Sequence, residues 1–102
     1  MEVALLGERF NAVAAERYGL VNRVVPEADL DLETNNLARR LASGPSHAYA
    51  NTKALLNESL NRTLEQQLDA EVLAFGNCAI TDDFNEGVTA FNEKRSATFT
   101  GT

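Results

Sequence analysis

The stretch from Thr81 to Arg95, TDDFNEGVTAFNEKR, leaves little room for anything but a capped helix. Thr81 offers a hydroxyl to the free amides of the first turn, where Asp82 and Asp83 meet the positive end of the helix dipole. Lys94 and Arg95 fall in what the spacing makes the last turn, where the dipole favours cations. Phe84, Val88 and Phe91 recur at intervals of four and three and so share one face. Lys94 stands three residues beyond Phe91 on roughly the same side, so a ring and an ammonium are expected together near the helix end.

The rest of the chain has the same helical period. Thr63-Leu64-Glu65-Gln66 is a capping box that opens the longest helix. In it Leu64, Leu68, Val72, Phe75 and Ala79, widened by Leu73 and Ile80, read as the stripe facing the core. Gly76 inside that helix costs about 1 kcal/mol of propensity relative to Ala, which points to close packing against a neighbour. Asn11 caps a short helix from Ala12 to Tyr18. Gly19 suits the left-handed residue at its end, with Leu20 folding back as a hydrophobic clasp.

Val21 to Val25, stopped by Pro26, is expected to be an extended connector, since no second strand signal lies nearby. From Asp29 or Asp31 a helix carries Leu30, Leu37 and Leu41 on one side with Ala38 beside them, and Gly44 and Pro45 end it. Pro45 also suits the first turn of the next helix, about Ser46 to Leu60, striped by Tyr49, Thr52, Leu56 and Ser59 or Leu60. Asn61-Arg62 makes a turn. The opening Glu2 to Leu6 is apolar and uncapped and reads as the end of a longer helix. The expected fold is all-α, a single domain over 1–102 with five or six helices and no internal repeat.

Composition narrows the function. Acidic residues outnumber basic ones 15 to 9, for a net charge of -6, which argues against nonspecific nucleic-acid binding and leaves no nucleic acid among the expected partners. No apolar run reaches membrane-spanning length, so no membrane partner is expected and the cytoplasm is the expected location. Arg39-Arg40 and Lys94-Arg95, the only adjacent basic pairs, read as solvated helix faces. The one cysteine, Cys78, reads as a small buried hydrophobe, and the one histidine, His47, has no second ligand at metal-binding spacing. Glu58 and Glu71 lack acid or base partners. There is no nucleophile with a base and no glycine-rich phosphate loop, so no catalytic residue and no metal site are assigned.

Four groups of residues carry a resemblance. They are Asp83-Phe84-x-Glu86-Gly87-x-x-Ala90-Phe91-x-Glu93-Lys94-Arg95 with Phe99-Thr100-Gly101; Gly7 to Ala12 with Ala15 and Gly19 to Pro26; Leu37 to Ala42 with Gly44-Pro45; and Thr52 to Asn57. In this order they resemble the C-terminal helical part of the enoyl-CoA hydratase/isomerase (crotonase) superfamily, over essentially the whole chain. One departure is Leu5-Leu6-Gly7, where the family usually has Leu-Thr-Gly.

The resemblance implies the helical region of the crotonase fold without its N-terminal spiral of ββα turns. The oxyanion hole and proton-moving acids belong to that spiral. The C-terminal part supplies a lid over the acyl chain, subunit contacts and contacts to coenzyme A. Phe91 is carried over as the residue beside the adenine end of coenzyme A and Lys94 as the one near its phosphates, in keeping with a ring face for a purine and an ammonium for a phosphate. Coenzyme A is then the carrier of the substrate and not a covalent cofactor, acyl-CoA is the partner, and a homo-oligomer, with helices exchanged between copies, is expected to cover apolar faces. The chain is expected to be a fragment of an acyl-CoA enzyme and inactive alone. The alternatives are an autonomous helical interaction module and a weak coenzyme A-binding domain.

Overall fold

The computed structural model describes residues 2–102. Six helices follow one another: α1 (Glu2–Leu6), α2 (Ala12–Arg17), α3 (Leu30–Ala42), α4 (Ser46–Glu58), α5 (Leu64–Ala79) and α6 (Asp82–Glu93), with 3₁₀ turns at Glu27–Asp29 and Ser59–Asn61. No strand occurs among the described residues, in agreement with the all-α expectation. No helix is long and apolar enough to cross a membrane. The chain forms two compact units, Met1–Asn36 and Leu37–Thr102, with the boundary inside α3.

In the first unit the Asn11 side-chain oxygen accepts the Ala14 N–H at 2.9 Å and fixes the start of α2. At its other end Gly19 takes φ +73°. The Gly19 N–H then donates to the Glu16 carbonyl and the Leu20 N–H to the Ala15 carbonyl, both at 2.9 Å, a Schellman closure that needs the left-handed residue. The expected clasp is weak, because Leu20 stays 58% exposed; Phe10 and Tyr18 instead pack edge to face with centroids 5.7 Å apart. Residues 21–26 form no helix and no strand. Glu16 accepts the Val24 N–H and Arg23 pairs with Glu33 at 2.7 Å.

In the second unit α4 packs on α5 and α5 on α6. Thr63 and Gln66 make the reciprocal bonds of the capping box, 3.3 and 2.9 Å long. The Thr81 hydroxyl accepts the Phe84 N–H at 3.1 Å and caps α6. The side of α5 turned inward is Gln67, Ala70, Ala74 and Cys78, of which Ala74 is buried and the others half-buried. Small side chains let neighbouring backbones approach closely, and that side wins the packing.

The stripe read as core is therefore on the open side. Leu64, Leu68, Val72, Leu73, Phe75 and Ile80 all remain more than half exposed, and within that stripe Ala79 is half-buried. Gly76 also departs from expectation, since a Cβ built there meets nothing within 4 Å. Phe75 is the link between the two sides, packing edge to face on Phe84 of α6 at 5.9 Å. Cys78 is half-buried and not fully so.

Candidate functional site

The second unit holds an open hollow of about 360 Å³. Pro45, His47 and Ala48 at the start of α4 form one side, and Cys78 and Thr81 at the end of α5 another. Asp83, Phe84, Gly87, Val88 and Phe91 of α6 make the floor, and Phe99 of the C-terminal segment closes the remaining wall. The spacing of Phe84, Val88 and Phe91 thus does bring them to one surface. The lining is almost wholly apolar. Cys78 Sγ accepts a hydrogen bond from Asn51 Nδ2 at 3.2 Å. His47 joins no cluster of metal-ligating side chains among the described residues.

Phe91 lies on the rim of the hollow with 83% of its surface exposed. Lys94 is not part of the lining. Its expected place in the last turn of α6 is corrected: the helix ends at Glu93, and Lys94 closes it in the left-handed conformation, φ +55° and ψ +37°. The Lys94 N–H donates to the Phe91 carbonyl at 3.2 Å and the Arg95 N–H to the Ala90 carbonyl at 3.0 Å. The two residues proposed from sequence are linked here by a backbone hydrogen bond, and only Phe91 lines the hollow. A position that favours glycine holds a lysine here at a cost of roughly 1 kcal/mol.

Because Lys94 reverses the chain, Arg95 points back along α6. Its guanidinium meets both oxygens of Glu86, at 2.6 and 2.8 Å, and its Nε reaches Glu93 at 2.6 Å. Glu86 also accepts the Thr98 N–H at 2.8 Å. One turn earlier Asp83 is 3% exposed and accepts the Thr100 N–H at 2.7 Å and the Gly101 N–H at 3.0 Å, one on each oxygen. Its own N–H donates to the Thr102 carbonyl at 3.0 Å. The spacing accounts for Asp83 only as a dipole partner. The amides that donate to it lie 17 and 18 residues away, beyond any local period, and the signal pointing to them is Phe99-Thr100-Gly101, one of the groups that carry the family resemblance.

The Arg95 guanidinium, and after it the Thr98 N–H, hold the Glu86 carboxyl down from its ordinary 4.5 to about 2. The same pairing raises Arg95 above its ordinary range. A carboxylate whose folded-state value is depressed stabilises the fold above its unfolded value and loses that contribution as pH falls through the folded one. Stability is therefore expected to decline between pH 4.5 and about 2, and Glu86→Gln to flatten that part of the profile. Urea midpoints of both chains across this window check it; parallel profiles refute it.

In the second unit, three helices, α4, α5 and α6, with a pinned C-terminal segment line an open apolar hollow and define the class of structure. Comparison with known proteins makes it specific. The family described as enoyl-CoA hydratase/isomerase matches residues 1–102, and the chain belongs to that family. It is 42% identical over 89 residues to a crotonyl-CoA hydratase of Syntrophomonas wolfei, covering 87% of this chain and 34% of that protein. It is 37% identical over 101 residues to a 1,2-epoxyphenylacetyl-CoA isomerase of Escherichia coli, covering 99% of this chain and 38% of that one. The crystal structure of an enoyl-CoA hydratase from Polaromonas superposes with a TM-score of 0.88 at 33% identity, over 97% of this chain and 39% of the other. The chain thus spans well under half the length of the curated relatives it matches.

Proposed function

We propose that this chain is the C-terminal helical region of an acyl-CoA-processing enzyme, where it serves as lid, subunit contact and coenzyme A contact. The carrying observation is that one enzyme family matches residues 1–102 while the chain covers only 39% of a solved hydratase. In this reading the oxyanion hole that stabilises a thioester enolate, and the acids that move protons, come from the remainder of the enzyme. Phe91 offers its ring face to the adenine and Lys94 its ammonium to the phosphates. The high exposure of Phe91 supports this, as does a lysine kept where the backbone favours glycine. The exposed stripe of α5 is the subunit contact.

The test is a chimera in which this chain replaces the matched segment of the Polaromonas hydratase. Hydration of crotonyl-CoA is the assay, with a crotonyl thioester of N-acetylcysteamine as the substrate that lacks the nucleotide. Phe91→Ala with Lys94→Ala is expected to raise KM for the CoA thioester about tenfold, the worth of one charge-assisted contact, with kcat little changed. The short thioester is expected to be unaffected. Equal losses on both substrates, or no loss on either, overturn the assignment of these residues. The isolated chain is expected not to hydrate crotonyl-CoA, and hydration abolished by changing one of its own carboxylates would refute the fragment reading.

A further inference from the structure

We propose that residues 96–102 form a releasable strap that gates the apolar hollow through Phe99, whatever ligand the hollow takes. The segment contains no helix or strand. It is held by its own backbone amides: Thr98 on Glu86, and Thr100 and Gly101 on Asp83. The two carboxylates stand three residues apart on α6 and so face the same way. Between the pinned amides Phe99 turns into the hollow and covers Gly87, where a built Cβ comes 3.6 Å from the ring. Gly101, at φ +83°, brings the segment against Ser46 at the start of α4. The strap therefore spans from α6 to α4, and its Phe99 closes one side of the hollow.

Release leaves the helices their own bonds. The side-chain cap of α6 comes from Thr81 and that of α5 from Thr63, and α6 gives up only the Asp83 N–H bond to the Thr102 carbonyl, whose donor then faces water. Once lifted, both carboxylates and the freed amides face water, so no buried polar group is orphaned. Opening costs a few charge-assisted hydrogen bonds and the burial of one ring, which makes it a local event below global unfolding.

The chain has no tryptophan and one cysteine, so Phe99→Trp places the one tryptophan, excited apart from the two tyrosines, in the strap, and Cys78 serves as a reporter in the hollow. Thr100→Pro deletes one pinning N–H, and Gly101→Ala separately penalises the left-handed conformation the strap needs. In each, the far-UV helix signal is expected to persist while Cys78 alkylation by iodoacetamide rises about tenfold and the indole emission shifts to the red. In the unaltered chain the amides of Thr98, Thr100 and Gly101 are expected to exchange faster than those in the middle of α5. Helix signal lost together with the strap, an unchanged alkylation rate, or strap amides exchanging at the α5 rate each overturn the proposal.

Discussion

Asp83→Ala is expected to lower the unfolding free energy by about 2–4 kcal/mol, a large share of the stability of a chain this size. Among the described residues Asp83 is the only buried charged side chain, and both of its oxygens are used. Each hydrogen bond to a charged group contributes roughly 1.5–3 kcal/mol. Part of the sum returns when the Thr100 and Gly101 amides swing out to water, and part is added by losing a carboxylate from the first turn of α6, worth about 0.3–1 kcal/mol. Asp83→Asn keeps the shape and one acceptor but sets an NH₂ group against the other amide, so it should fall between the alanine variant and the parent. Urea denaturation reads the loss as a lower midpoint at unchanged slope. Amide exchange should show the loss of protection at Thr100 and Gly101 first. A loss below about 1 kcal/mol, the worth of one ordinary neutral hydrogen bond, would mean that Asp83 merely complements the dipole.

That dipole role is all that local spacing assigns to Asp83, and the contrast shows what kind of information a sequence carries. Asn11, Thr63 and Thr81 were legible because a cap acts within three residues, and all three make the expected bonds. Gly19 was legible for the same reason. The common surface of Phe84, Val88 and Phe91 also follows from period alone. The end of α6 was not legible: nothing in Glu93-Lys94-Arg95 says that the lysine leaves the helix for the left-handed region, because a lysine there is disfavoured and is stabilised by the Arg95 contacts beyond it. The role of the C-terminal segment was hidden too, since its partners are distant in sequence. The resemblance to the enoyl-CoA hydratase/isomerase family was fully legible, because it rests on residue order and not on packing.

The α5 stripe exposes a different limit. Period shows that one face of a helix is apolar; it does not show whether the same chain covers that face. Here α4 and α6 take the small-residue side, and Leu68 and Val72 stay 52% and 71% exposed, with Leu64 at 75% and Phe75 at 64%. Burying a side chain of this size is worth about 1.5–3 kcal/mol, and a contiguous patch of several marks an interface. The 11.1 kDa chain is therefore expected to self-associate, with light scattering giving at least the mass of a dimer. Leu68→Glu with Val72→Glu should return it to a monomer. The helices should survive, because substitutions at positions open to water cost the folded monomer little, whereas a carboxylate forced into an apolar interface without a partner costs several kcal/mol. Two outcomes would sink this: a parent chain that is monodisperse at monomer mass at high concentration, or a double variant that keeps its assembly. The second would move the subunit contact away from α5, to another face that the chain leaves uncovered, and the Phe91 rim of the hollow would be the next to test.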